Sequence, residues 1–126
     1  MKAAIIAGCV VLSVLSASRA HAANIQVEIS ADRSRSQLLI IKGDILNGDY
    51  DKFKRIANRL PYGTVIVLNS RGGLLVDGLN IGTTIKAKGF RTFAYDYCMS
   101  VCAMMWLAGW ERSTTSDTSI GFHGAG

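Results

Sequence analysis

Residues 25–29 alternate apolar and polar side chains, which is the period of a strand with one buried face. A polar segment, residues 32–36, separates this strand from an apolar run at residues 38–41. Two short strands joined by a polar turn are typical of a hairpin. The pattern therefore predicts that the folded part of the chain opens with a β-hairpin.

Three later segments carry helical signals. In residues 49–60 the apolar positions recur at helical spacing, with Asp49 as the predicted N-cap and Pro61 as the stop. Residues 74–88 show the same spacing, weakened by two internal glycines and closed by lysines and a glycine. The apolar run at residues 101–107 fits a short buried helix better than a strand.

Strands are predicted between these helices. Residues 64–68 form a β-branched apolar run, which is typical of a strand buried on both faces. Residues 91–95 and 119–123 are two further predicted strands. Alternating strands and helices indicate one α/β domain with a mainly parallel sheet. The composition agrees, because 49% hydrophobic and 18% charged residues are ordinary for a globular domain.

The first residues follow another pattern. Lys2 supplies a positive end, residues 3–15 are mostly apolar, and Ala20 and Ala22 are small residues at cleavage-site positions. The apolar run is shorter than the ~20 residues needed to span a bilayer. We therefore predict a secretory signal peptide at residues 1–22.

Cleavage near Ala22 would leave a domain at residues 23–126 in the periplasm or outside the cell. Lipidation at Cys9 is an alternative, but too few apolar residues precede that cysteine. The cleaved chain would carry 12 basic and 9 acidic residues, a net charge of +3 without a run of like charge. We therefore predict no nucleic-acid partner.

After cleavage the remaining cysteines would be Cys98 and Cys102, which flank Ser100. In an oxidising compartment such a pair favours a disulfide, which would hold the turn at Ser100. Two buried thiols are the alternative. With one histidine outside the signal peptide, the cysteines make a thin ligand set, so we predict no metal site.

Ser100 stands where a strand is predicted to give way to a helix, close to the free N–H groups of the first helical turn. It could instead be a helix N-cap. His123 is the only histidine outside the predicted signal peptide, so any serine nucleophile that uses histidine must use this one. A histidine between glycines could also be an ordinary turn residue.

Gly72 and Gly73 follow the predicted strand at residues 64–68 and precede a predicted helix. Backbone N–H groups without a neighbouring Cβ can approach a ligand closely and stabilise an oxyanion. A tight turn without a ligand is the alternative explanation of this pair.

In their order along the chain, these motifs resemble the Clp protease proteolytic subunit (ClpP) and its exported relatives. The family implies the ClpP/crotonase-like fold, an α/β superhelix of repeated ββα units with a mainly parallel sheet. The resemblance spans residues 38–123 and rests on Asn69-Ser70-Arg71-Gly72-Gly73, Asp77-Gly78-Leu79-Asn80-Ile81, Ser100, Ala108-Gly109 and Gly121-Phe122-His123.

The resemblance implies an exported serine peptidase that cleaves peptide bonds through an acyl-enzyme, with Ser100 as nucleophile and His123 as base. It assigns the N–H groups of Gly73 and Val101 to an oxyanion hole. It implies no cofactor, a peptide or unfolded protein as substrate, and assembly into a homo-oligomer. After export we expect no ATPase partner.

The resemblance also places Arg71 and Gly72 in the substrate-binding region, where Arg71 replaces the usual proline. The family's aspartate lies well downstream of the histidine, so we expect a domain that is incomplete at its C-terminus. Loss of the orienting carboxylate lowers activity by about 10⁴-fold. The main alternative is therefore a catalytically inactive ClpP-fold module that binds peptides or oligomerises. An acyl-CoA enzyme of the crotonase family, and a membrane-associated peptidase with a lysine base, are further alternatives.

Overall fold

The computed structural model describes residues 23–29 and 37–123, so the predicted signal peptide lies outside the described residues. Within these ranges, no helix is long and apolar enough to cross a membrane. In chain order the elements are β1 (Asn24–Ile29), β2 (Gln37–Lys42), α1 (Asp49–Ala57), β3 (Val65–Ser70), α2 (Leu75–Ala87), β4 (Arg91–Met99), α3 (Val101–Leu107), β5 (Arg112–Thr114) and β6 (Ser119–Gly121).

The strands form one six-stranded sheet in the order β1-β2-β3-β4-β5, and β6 also pairs with β4. β1 runs antiparallel to β2, with Ile25 opposite Ile41, which confirms the predicted hairpin. The remaining pairings are parallel. The predicted α/β class with a mainly parallel sheet is therefore confirmed. Strand β3 pairs with one edge of β4. Strands β5 and β6 therefore both pair with the opposite edge of β4, one after the other along its length.

The core lies on one face of the central strands. In β3, Ile66 and Leu68 are fully buried, whereas Val65 and Val67 are only partly buried. The prediction that this strand is buried on both faces is therefore wrong for the described chain, because its burial alternates with the pleat. The helices contribute large buried side chains to the same cluster, namely Phe53, Ile81, Ile85 and Met105.

Helix α1 is capped differently from the prediction. Gly48 occupies the N-cap with a left-handed φ of 96°, and the first turn of the helix is bound by a side chain of helix α2. The Asp77 carboxylate accepts hydrogen bonds from the N–H groups of Gly48 at 3.1 Å and Tyr50 at 3.0 Å. Asp49 was the predicted cap, but its carboxylate accepts a hydrogen bond from the Leu46 N–H at 2.7 Å and is no longer free for that role.

Other differences from the prediction include two boundaries and one additional strand. Helix α1 ends at Ala57, three residues before the predicted end, because the last turn tightens before Pro61. Strand β4 continues to Met99 through a residue with positive φ, Asp96, at which the pairing with β3 changes register. The short strand β5 was not predicted, because its three residues are polar and exposed.

Candidate active site

The C-terminal ends of three parallel strands meet at one edge of the sheet. Ser70 of β3 pairs with Cys98 of β4, and Cys98 pairs in turn with Ile120 of β6. Ligands of α/β proteins bind at such an edge. Here the residues after the strands line a groove of about 400 Å³, namely Gly73, Leu75, Ser100, Val101, Met104, Phe122 and His123. Four of them are the predicted nucleophile, base and oxyanion donors.

Ser100 forms the sharp turn between β4 and α3. Its φ of 57° and ψ of −128° lie outside the regions that residues other than glycine ordinarily adopt. The turn is held by the Ser100 N–H, which donates a hydrogen bond to the Gly121 carbonyl at 2.8 Å. Ser100 stands at the N-cap position of α3, but its side chain makes no capping hydrogen bond. The hydroxyl is therefore available to the groove.

Gly72 lies against the serine turn. Its φ is 103°, and its own N–H donates to the Ser70 hydroxyl at 3.0 Å. A side chain at this position would collide with Ser100, so the glycine is needed for the close approach of two turns. Gly72 was predicted to bind substrate, and in the structure it packs behind the nucleophile.

The two predicted oxyanion donors line the same groove. Gly73 follows strand β3 with a φ of 135°, and Val101 is the first residue of α3. N–H groups in the first turn of a helix lack intrahelical partners, so that of Val101 is free to bind a ligand. Such donors stabilise the charge that develops on a carbonyl oxygen during acyl transfer.

Ile45 holds the loop that carries Gly73. The Ile45 N–H donates to the Gly72 carbonyl at 2.8 Å, and the Ile45 carbonyl accepts from the Leu74 N–H at 2.7 Å. Gly73 itself comes so close to the Ile45 backbone that a Cβ would not fit. Sequence reasoning missed Ile45, and its only sequence signal is an apolar residue in the polar segment after β2.

His123 follows strand β6 by two residues and is exposed. The pairing of Gly121 with Met99 brings it to the groove that Ser100 also lines. Within the described residues, no hydrogen bond joins the Ser100 hydroxyl to the His123 imidazole. Catalytic hydrogen bonds are often long without substrate, so a shared groove remains compatible with a nucleophile and a base.

Among the described residues, no carboxylate lines the groove. Asp96 accepts a long hydrogen bond from the Asn69 side-chain amide at 3.5 Å. Asp117 accepts one from the Thr115 hydroxyl at 2.7 Å, which lowers the pKa of Asp117 below its ordinary value. Both acids are thus engaged outside the groove.

The Cys98–Cys102 disulfide closes a small ring around Ser100. The Cα atoms of the two cysteines are 5.1 Å apart, and both residues are buried. The two cysteines thus lie at disulfide distance, as the predicted bridge requires. It ties the end of β4 to the first turn of α3, so the serine turn is fixed covalently from both sides.

Arg71 lies beside the site. Its guanidinium stands over the Tyr97 ring, 5.7 Å from the ring centre, and the side chain is exposed. Arginine over an aromatic face is a favourable cation–π contact. Arg71 does not line the groove. To bind substrate as predicted, it would have to contact a part of the substrate that extends beyond the groove.

Apolar side chains of the groove were not predicted as site residues. Leu75, Met104 and Phe122 are 52%, 43% and 58% exposed although they are large and hydrophobic. The sequence gives little sign of these residues, because it does not show whether an apolar side chain is exposed or buried in the folded protein. Beneath them, Gly78 of α2 packs against the Val101 side chain.

Comparison with known proteins supports this fold. No family model and no curated protein matches the chain. Among solved structures the chain is similar to a mutant of ClpP1 from Listeria monocytogenes, with a TM-score of 0.61 and 19% sequence identity. The match covers 71% of this chain and 57% of that chain, so this chain spans little more than half of the other's length. The chain has a ClpP-like fold.

Proposed function

We propose that the chain is an exported serine peptidase that cleaves peptide bonds, with Ser100 as nucleophile and His123 as general base. The observation that carries this proposal is the turn at Ser100. Ser100 is a non-glycine residue with positive φ, is tied by a disulfide and lines a groove together with the only described histidine. Backbone strain of this kind is concentrated at functional sites.

The reaction would proceed in two steps. His123 takes the proton of the Ser100 hydroxyl while the oxygen attacks the peptide carbonyl, and the N–H groups of Gly73 and Val101 bind the resulting oxyanion. The intermediate collapses, the C–N bond breaks, and the leaving amine takes the proton from His123. Water then repeats the sequence on the acyl-enzyme and releases the acid.

The groove supports an apolar residue next to the cleaved bond. Leu75, Met104 and Phe122 surround the space beside Ser100, and the described lining contains no lysine, arginine, aspartate or glutamate. Hydrophobic lining with a few placed polar groups is typical of binding pockets. We expect cleavage of unfolded chains or short peptides after apolar residues, without a cofactor or an ATPase partner.

The orienting carboxylate is proposed to come from outside the described residues. The ClpP-like neighbour is longer than the matched region, and oligomers can complete a site with a second copy. We therefore also propose a complete domain with further ββα units of the superhelix, a homo-oligomer, and a periplasmic or secreted location after cleavage near Ala22.

A second candidate function is a catalytically inactive peptide-binding module with the same fold. The lack of a carboxylate among the described residues of the groove lining favours it. It would use the apolar groove without an activated serine. The two functions differ in the reactivity of Ser100.

A fluorophosphonate probe separates them, because it labels only activated serines. We expect labelling of the wild-type protein, no labelling of Ser100→Ala, and a large loss in His123→Ala. Ser113→Ala is the matched control, since Ser113 is an exposed serine of β5, away from the groove. Labelling that persists in Ser100→Ala, or that is absent from the wild type both alone and in a longer form of the gene product, would reject the peptidase.

A further inference from the structure

The backbone nitrogen of Ala23 and the carboxylate of Asp49 meet inside the protein. The Ala23 N–H donates a hydrogen bond to Asp49 Oδ2 at 3.3 Å, and the two residues are only 1% and 4% exposed. Within the described residues, the one ion pair joins Arg91 to Glu111, so no lysine or arginine there neutralises Asp49. A buried carboxylate without a cation is unfavourable.

Ala23 is also the residue that follows the predicted cleavage position. Hydrolysis of the Ala22–Ala23 bond adds water across it, leaving a carboxylate on Ala22 and an α-amino group on Ala23. An α-amino group is protonated at neutral pH. We propose that Asp49 is the binding site for this new α-ammonium group, so that an ion pair replaces the hydrogen bond between an uncharged amide and the carboxylate when the leader is removed.

The same carboxylate supports the backbone next to the groove. Asp49 Oδ2 also accepts the hydrogen bond from the Leu46 N–H at 2.7 Å. The adjacent residue, Ile45, holds the loop of Gly73 by its hydrogen bonds to Gly72 and Leu74. Asp49 is therefore a positioning residue: its ion pair with the processed N-terminus fixes the segment that holds the loop of the oxyanion donor Gly73. This second step rests on the proposed peptidase activity, whereas the ion pair rests only on the proposed cleavage after Ala22.

The test uses the full chain, exported with its own leader and purified after processing. N-terminal sequencing should show a product that begins at Ala23. A matched form has one serine inserted between Ala22 and Ala23, which moves the ammonium group away from Asp49 by one residue. Both forms are also made with Asp49→Asn, which keeps an acceptor for the Leu46 N–H but removes the charge.

We expect the insertion to lower the thermal unfolding midpoint by about 5 °C or more with Asp49, and by much less with Asp49→Asn. The comparison removes the steric cost of the insertion, because that cost is present in both backgrounds. An equal decrease in the two backgrounds, no decrease in either, or a mature product that begins at another residue would overturn the ion pair.

The rate of fluorophosphonate labelling tests the positioning role. In the Asp49 background the inserted form should label several-fold more slowly than the processed form. Equal rates, together with a coupled change in the unfolding midpoint, would limit the ion pair to stability and reject its effect on the groove. A protein that does not label at all would contradict the proposed peptidase, while the midpoint measurement would still decide the ion pair.

Discussion

Gly72 lies directly behind Ser100, so that a Cβ atom at position 72 would stand 2.8 Å from the Ser100 Cβ and 2.8 Å from the Met99 carbonyl oxygen. Neither contact can be relieved without moving the serine turn. We therefore expect Gly72→Ala to slow fluorophosphonate labelling by up to about 100-fold, because small displacements of a reacting group have effects of that size.

Gly63→Ala is the control for this variant. Gly63 also has a positive φ, of 79°, but a Cβ there would meet nothing within 4 Å. The control should therefore lose some stability through backbone strain and keep the wild-type labelling rate. Equal labelling rates in the two variants would show that the contact between Gly72 and Ser100 does not set the reactivity of the serine.

Gly78 and Gly82 lie on the same helix and should respond oppositely to alanine. A Cβ at Gly78 would overlap the Val101 side chain, with Cγ1 at 2.8 Å, whereas one at Gly82 would meet Met105 Cα at an ordinary 3.6 Å. We expect Gly78→Ala to lower the free energy of unfolding by about 1–3 kcal/mol. Gly82→Ala should raise it by about 0.5–1 kcal/mol through helix propensity. Denaturant unfolding of both variants measures the difference, and two increases would contradict the predicted packing against Val101.

Asp77 joins two helices through its carboxylate. Asp77→Ala should leave the N–H groups of Gly48 and Tyr50 without their acceptor and lower the free energy of unfolding by about 1–3 kcal/mol. Asp51→Ala is the matched control, since Asp51 is an exposed acid in the first turn of the same helix α1. Its effect should stay within about 0.5 kcal/mol. Similar losses in the two variants would indicate a helix-dipole effect and not a specific cap.

Removal of the disulfide should weaken the fold and the site together. For the short ring closed by Cys98 and Cys102, chain entropy predicts a loss of about 2 kcal/mol. We expect reductant to lower the unfolding midpoint and the labelling rate of the wild-type protein. The variant with both cysteines replaced by alanine should start from these lower values and show no response to reductant. A wild-type protein with an unchanged labelling rate after complete reduction would show that the bridge does not position Ser100.

Local patterns predicted most of the fold. The hairpin and helices α2 and α3 were predictable because hydrophobic period, glycine and proline act over a few residues. The cap of α1 was not, because the acid that supplies it is Asp77, which lies 29 residues from Gly48 in sequence. Strand β5 has no apolar signal of its own and forms only because Thr92 and its neighbours in β4 offer it an edge.

The candidate site, like the fold, was predictable only in part. Residue types and their order indicated Ser100, His123 and the glycine pair. Local sequence could not predict the positive φ of Ser100, which depends on the contact with Gly121 across the sheet edge. Nor could it predict the role of Ile45, which lies 28 residues from Gly73 and touches it only in the folded chain.

The disulfide around Ser100 has a consequence for the cell that makes the protein. Thiols stay reduced in the cytosol, so in a chain exported as proposed the bond between Cys98 and Cys102 would form only in the oxidising compartment. For the proposed peptidase, this would keep the serine turn untied during synthesis and complete it after crossing the membrane. The newly made chain would then not cleave cytosolic proteins of the cell that makes it, and no separate inhibitor would be needed before export.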